Sequence, residues 1–344
     1  MNYKILGKTN LKVPLFGFGA IQISRISEKD AIFLIREAID KGINLIDTAH
    51  DYPNSEALLG KALKGIRDKV VISTKSLQSS KKEFLNDLEV SLKRLKTDYI
   101  DIFLFHDTSK SEKVEKLISN EVIEALIKEK QKGKINFIGF SCHNPQVIEK
   151  FYKIDQFSVL MIPINFISTE FTKDYVYKKL IDNNIGLLGM KPLGGGRITD
   201  INLCFKYIRQ FKEVIPIVGM ESYSELRQNI EYVSSGESLN SSDRKRIEEI
   251  RNELGDKFCR GCSYCMPCDQ GIDICEINFI KVFYKQFPTE KFLTPERTEK
   301  VEKVDDCIEC GKCEEKCPYH LNIIEMLKEN RDFYMKKLKN KYLF

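Results

Sequence analysis

The first 235 residues alternate between short apolar runs and amphipathic stretches of helical spacing. The strand-like runs are Leu15–Ala20, Asn44–Thr48, Val70–Thr74, Tyr99–Phe105, Ile135–Ser141, Ser158–Ile164, Gly186–Met190 and Val214–Val218. Between them, Ala31, Leu34, Ile35 and Ala38 share one face of a helix opened by Ser27, with Asp30 as its capping partner. Ile118, Val122, Ala125 and Leu126 mark another helix, and Ile201 to Phe211 a shorter one. Nearly continuous hydrophobic strands separated by helices imply a parallel sheet covered on both faces. Eight such units in this length of chain predict an α/β fold of the closed (β/α)8 type, a TIM barrel. An open doubly wound sheet would carry G-x-G-x-x-G after its first strand, whereas this one ends Gly17-Phe-Gly19-Ala without the third glycine. Tyr3–Leu6 and Lys12–Val13 flank Gly7-Lys-Thr-Asn10, the pattern of a small hairpin that could cap the bottom of a barrel. A polar helical stretch, Ser242 to Leu254, leads into a cysteine-rich segment, and an amphipathic helix from Ile323 to about Lys341 ends the chain.

Composition narrows the class. The 344 residues are 42% hydrophobic and 31% charged, ordinary for a soluble globular protein. A net charge of +5 spread along the chain is too weak to argue for nucleic acid or membrane partners. The basic run Lys336, Lys337, Lys339 and Lys341 reads as a solvated helix face. Met1–Asn10 holds no apolar leader, and the longest uncharged run, Gln156 to Thr169, is too short to span a bilayer. A cytoplasmic location is expected. Eleven cysteines in such a compartment point to metal or redox chemistry and away from disulfides.

Nine of the eleven cysteines follow residue 258. The first run is Cys259-Arg-Gly-Cys262-Ser-Tyr-Cys265-Met-Pro-Cys268, and the second is Cys307-Ile-Glu-Cys310-Gly-Lys-Cys313-Glu-Glu-Lys-Cys317-Pro. The second is the bacterial ferredoxin run C-x2-C-x2-C-x3-C-P, in which three thiolates hold one cubane and the cysteine before proline serves the other. This predicts two 4Fe-4S clusters, one on Cys259, Cys262, Cys265 and Cys317, the other on Cys307, Cys310, Cys313 and Cys268. The first run has one residue fewer before its fourth cysteine, so Cys275 is an alternative to Cys268. Paired C-x2-C motifs also form zinc sites, but successive three-residue steps ending in Cys-Pro fit cubanes better. The expected organisation is a barrel over residues 1–240 and a small α-helical ferredoxin-like domain over 241–344.

In such barrels the chemistry sits at the carboxyl ends of the strands. The second strand-like run leads into Asp47-Thr-Ala-His-Asp-Tyr52-Pro-Asn-Ser-Glu56, the third ends at Lys75 and the fourth at His106. Each residue alone is as readily structural, but four on consecutive strands converge on one rim. Here the chain resembles the aldo-keto reductase family, over residues 1 to about 235, and with the cysteine-rich tail its iron–sulfur branch. The likeness rests on the Asp47–Glu56 signature, on Lys75 and His106, and on Gly189-Met-Lys-Pro-Leu-Gly-Gly-Gly196 and Val214-Ile-Pro-Ile-Val-Gly219. It implies reduction of a small-molecule carbonyl, with Tyr52 as general acid, Lys75 lowering the phenol's pKa, Asp47 holding Lys75, and His106 orienting the carbonyl oxygen.

For the nicotinamide the resemblance implies Gly19, Ser141, Met190, Leu193, Gly195, Ser222 and Asn229 as contacts. Cys142 stands where an asparagine is expected, Met161 where a glutamine is common, and Met190 where an aromatic often stacks. Glu221 and Glu225 replace the cations that grip a 2′-phosphate, so NAD(H) is expected over NADP(H), with Arg227 leaving the choice open. Cubanes pass single electrons and nicotinamide a hydride, so joining them calls for a bound flavin, for which the sequence has no motif, or a redox partner protein. Three alternatives stay open: structural or sensory clusters, a barrel that has lost nicotinamide and takes single electrons, and a non-catalytic electron carrier or redox sensor.

Overall fold

The computed structural model describes residues 1–344 except 110, 120, 152, 153, 173, 256, 262, 263 and 342–344. Two compact units divide the chain, Met1–Leu239 and Asn240–Phe344. In the first, a hairpin of β1 (Tyr3–Ile5) and β2 (Lys12–Pro14) precedes eight parallel strands. These are β3 (Gly17–Gly19), β4 (Leu45–Asp47), β5 (Val71–Ser76), β6 (Ile100–Phe105), β7 (Ile135–Ser141), β8 (Phe157–Pro163), β9 (Gly186–Met190) and β10 (Val214–Gly219). They pair in sequence order, and β10 closes on β3 through Ile217–Gly17, so the sheet is a barrel without an edge. The expected TIM barrel is what forms.

The interior is filled by side chains from alternate strand positions, among them Leu45, Val71, Ile102, Leu104, Val159, Leu188 and Ile215. Leu6 and Val13 from the hairpin join this cluster at 1% and 0% exposure, so the hairpin plugs the barrel. Between β7 and β8 the register shifts at Gly139, where a Cβ would lie 2.0 Å from the Val159 carbonyl oxygen. Only glycine lets these two strands approach so closely.

The first helix, Glu28–Asp40, begins as the sequence implies: the Asp30 amide donates to Ser27 Oγ at 3.1 Å, and Ala31, Leu34, Ile35 and Ala38 are buried. The segment around Ile118 departs from expectation. Two helices form, Ser111–Ser119 and Val122–Gln131, broken at Glu121 with φ 54°, and Ile118 is 49% exposed. The apolar spacing is continuous, but a left-handed residue rotates the second helix off the first one's face.

The second unit is helical, with an apolar cluster that includes Ile277, Ile280, Phe292, Val301, Leu327 and Tyr334. Its longest helix, Ile323–Lys341, supplies Tyr334, which is fully buried. The Tyr334 ring packs on Phe292 at 5.2 Å, and its hydroxyl meets Thr298 Oγ1 at 3.0 Å. Lys337, expected to be solvated, lies 4.4 Å from the centroid of the Tyr284 ring. Tyr334→Ala should destabilise the second unit by about 3–5 kcal/mol, and Tyr334→Phe by about 1 kcal/mol. Chemical denaturation measures both; equal losses would show that the hydroxyl, not the ring, carries the contribution.

Candidate active site and thiol cavity

Strand β5 runs to Ser76, one residue beyond Lys75, where the sequence reading ended it. Its alternation sorts four polar side chains onto two faces. Inward, Ser73 Oγ donates to Asp47 Oδ1 at 2.8 Å, and Lys75 Nζ to Asp47 Oδ2 at 2.7 Å and to the Thr48 carbonyl at 2.5 Å. Outward, Thr74 Oγ1 donates to Glu56 at 2.8 Å and Ser76 Oγ to Asp87 at 2.6 Å, both acceptors being buried. Those carboxylates clamp the loop after β4. Arg94 bridges Glu56 at 3.3 Å and the His50 carbonyl at 3.0 Å, while His50 Nε2 faces Asp87 at 3.4 Å. Tyr52 is thereby held with its ring centroid 5.2 Å from Lys75 Nζ and 5.9 Å from the His106 ring, edge to face. Asp47, Tyr52, Lys75 and His106 do come together.

The electrostatics correct one expectation. Burial raises the Tyr52 pKa, and the opposing pull of Lys75 does not cancel it, so the phenol lies above its ordinary value. Desolvation of the phenolate outweighs one neighbouring ammonium that Asp47 already partly neutralises. Burial likewise pulls Lys75 down, but Asp47 and Tyr52 outweigh it and the ammonium stays charged. His106 is pushed down by burial, with its Nδ1 3.6 Å from Asp51 Oδ2, just beyond hydrogen-bond reach.

The residues expected around a nicotinamide are scattered in behaviour. Ser141 Oγ accepts the Asp107 amide at 2.8 Å. Met161 is buried in the barrel interior, and Met190 packs beside it. Gly194, Gly195 and Gly196 all have positive φ (58°, 69° and 82°), forming a turn after Leu193 that only glycine adopts easily. Gly19 ends β3 against Gly219, where a Cβ would lie 3.1 Å from the Gly219 amide nitrogen. Ser222 caps the helix Tyr223–Ser234, but the Glu225 carboxylate already accepts the Glu221 and Ser222 amides at 2.8 and 3.2 Å. That helix start is therefore occupied by the chain's own anion, which weakens it as a phosphate site. Asn229 Oδ1 and Gln22 Oε1 are buried without a hydrogen-bond partner among the described residues, the state of atoms awaiting a polar ligand.

In the second unit, Cys268, Cys307, Cys310 and Cys313 line one cavity, with Cys265 also on its wall. Cys275, the alternative to Cys268, is not among its lining residues and sits on the short helix Ile274–Asn278. Cys259, Cys265 and Cys317 are buried at 7%, 9% and 6% exposure, whereas Cys310 is exposed. Cys262 lies outside the described residues. Among the described residues no three Cys, His, Asp or Glu side chains meet closely enough to hold a single metal ion. Five thiols on one cavity wall suit the all-cysteine ligation of an iron–sulfur cluster.

Comparison with known proteins decides the family. The Aldo/keto reductase family model matches residues 15–203, more than half of the chain. The chain belongs to the aldo/keto reductase family. A 4Fe-4S dicluster domain matches residues 258–322. The chain is 27% identical to L-galactose dehydrogenase of Arabidopsis thaliana, over 72% of this chain and 92% of that one. Its fold is similar to an aldo-keto reductase from Bacillus halodurans, with a TM-score of 0.64 at 23% identity, covering 73% of this chain and 96% of that one. An aldo-keto reductase from Klebsiella pneumoniae in complex with NADPH has a TM-score of 0.61 at 22% identity, covering 73% and 95%.

Several polar residues of this aldo/keto reductase escape a reading of the sequence confined to the second, third and fourth strand ends. Asp51, Asp87 and Glu56 support Tyr52 and His106 from the loop and the helices. Asp107, His143 and Lys191 lie one or two residues past β6, β7 and β9, and the same strand-end rule would have found them. Asp47→Ala would leave Lys75 charged at 1% exposure without its partner, and should cost about 3–5 kcal/mol. Because the folded pKa of Lys75 lies above its ordinary 10.5, the stability it contributes is complete at neutral pH and is lost as pH rises through the folded value. Denaturation of both proteins against pH tests this; identical midpoints would mean the pair contributes nothing.

Proposed function

We propose that this chain reduces a small-molecule carbonyl compound at the barrel rim and exchanges single electrons through its cysteine-rich unit, in a cytoplasmic setting that keeps its thiols reduced. The observation that carries the reading is the buried contact of Lys75 with Asp47 at 2.7 Å beside Tyr52 and His106. Bound there, a reduced nicotinamide would supply the hydride, as cubane clusters in the second unit would supply single electrons. The rest falls to the chain's own residues. His106, neutral through burial, donates a hydrogen bond to the carbonyl oxygen. Tyr52, protonated across the neutral range, gives its proton to that oxygen as negative charge develops on it. Lys75 stays charged and stabilises the phenolate left behind, while Asp47 fixes its direction.

The unpaired Asn229 Oδ1 and Gln22 Oε1 and the glycine turn at Gly194–Gly196 fit a dinucleotide. NAD(H) is favoured over NADP(H) because Glu221 and Glu225 stand where the family's cations grip a 2′-phosphate, with Arg25 lying 3.3 Å from Glu221 and the Glu225 carboxylate accepting the Glu221 and Ser222 amides. Cys259, Cys262, Cys265 and Cys317 would hold one cluster and Cys268, Cys307, Cys310 and Cys313 the other. A redox partner protein would meet the chain where Cys310 and Ile308, the latter 66% exposed, come to the surface. The partner, or a flavin, would convert single electrons to pairs.

Tyr52→Phe should cut carbonyl reduction by about 100- to 10,000-fold while leaving NADH binding intact; an undiminished rate removes Tyr52 as the acid. Protein isolated without oxygen should be brown, carry iron and acid-labile sulfide in equal amounts and bleach with dithionite. Cys310→Ser should lose roughly half of the iron, as expected when one of two clusters fails to assemble. A colourless, zinc-containing preparation would rule the clusters out.

A further inference from the structure

The hairpin that plugs the barrel reverses the usual order of side chains. In β1, Tyr3 and Ile5 are 40% and 51% exposed, while Lys4 between them is half-buried. Alternation along the strand turns the lysine toward the protein and its apolar neighbours toward solvent. Lys4 Nζ donates to the Lys212 carbonyl and, at 3.1 Å, to the Val214 carbonyl at the start of β10. An ammonium has three N–H groups, so these two bonds leave a third donor. Burial pulls the Lys4 pKa down to about 8, against the opposing effect of Glu213. The charge is poorly hydrated where it sits, and gains from any anion brought to it.

A cavity within the first unit lies beside this amine. Leu15, Phe205, Ile208, Pro216 and Val233 give it apolar walls, drawn from the segment before β3, from β10 and from the helices Ile201–Ile208 and Tyr223–Ser234. Lys4, Arg209 and Lys212 also line it, and no carboxylate does. Arg209 donates to the Tyr232 and Val233 carbonyls at 3.0 and 3.2 Å and to the Glu237 carbonyl, which fixes its place without cancelling its charge. The Glu237 carboxylate is itself engaged by Lys206 at 2.9 Å. An apolar hollow with cations on its wall is complementary to a small amphipathic anion.

We propose that this cavity binds an apolar carboxylate, with the ligand's hydrocarbon body against Phe205, Ile208 and Val233 and its carboxylate accepting from Lys4. The start of β10 lies at the opposite end of the barrel from the strand ends that carry Asp47, Lys75 and His106. The site is therefore separate from the one proposed for carbonyl reduction and does not depend on that reading. Each methylene buried against the walls should tighten binding by about three-fold or more until the hollow is full.

Titration calorimetry of octanoate, octanol and acetate against the whole protein, at pH 7 and without oxygen, tests the assignment. The wild type should bind octanoate at a single site, at least about ten-fold more tightly than octanol or acetate. Lys4→Met, which keeps the length and apolar stem of the side chain, should weaken octanoate by about ten-fold and leave octanol unchanged. Lys4→Arg should retain most of the affinity, and Tyr52→Phe all of it. Three results overturn the inference: no saturable octanoate binding to the wild type, octanol bound as tightly as octanoate, or an octanoate affinity that Lys4→Met leaves unchanged. Loss of octanoate binding in Tyr52→Phe would place the ligand at the rim and overturn it as well. The wild-type comparison of the three ligands needs no variant to fold.

Discussion

A charge pair sealed inside the mouth of the barrel organises the rest of this site. Lys75 and Asp47 are 1% and 4% exposed, and neither ion would survive there alone. The pair is supportable because its ions are further bonded: Ser73 donates to one oxygen of Asp47, and the Thr48 carbonyl takes a further proton of Lys75. That solution ties β4, β5 and the loop between them into one unit. Tyr52 and His106 are then placed against an ammonium whose position they do not have to define.

The same strand supports the site from behind. Thr74 and Ser76 point away from the barrel axis and bind two more buried carboxylates, Glu56 and Asp87. Through Arg94 and His50 these fix the loop that carries Tyr52, so the proposed general acid is backed by five polar contacts. Such bracing resists the displacement of about 1 Å that would cost a hydride site much of its rate. The electrostatics follow from the same burial. Burial holds the proton on the phenol against the pull of Lys75.

The rim at β7, β8 and β9 is built on other principles. Met161 is buried in the apolar barrel interior, Cys142 Sγ lies 3.1 Å from the Asn144 carbonyl, and Ser141 is engaged by the Asp107 amide. Polar character returns in Asp107, His143 and Lys191, one or two residues further along the chain. The second unit shows a comparable division, with buried thiols at Cys259, Cys265 and Cys317 and an exposed one at Cys310.

The chain's own pattern determined the barrel, since eight buried strands at regular spacing admit few other closed arrangements. It also brought out the four rim residues, because Asp47, Lys75 and His106 lie at or near strand ends and Tyr52 lies in the loop that follows β4. The cysteine spacing determined the metal chemistry for a similar reason: three-residue steps are a local geometry. What needed the tertiary structure were quantities that depend on distant neighbours. Whether the Tyr52 phenol rises or falls is a contest between burial and Lys75, and spacing cannot weigh the two. The helix break at Glu121 turns on one left-handed residue, invisible to apolar periodicity. That Cys268 and not Cys275 shares a cavity with Cys307, Cys310 and Cys313 depends on how loops fold back, not on the intervals between thiols. The contact of Lys191 with His143 spans 48 residues of chain and only 3.0 Å of space, and only the closed sheet brings those two strand ends together.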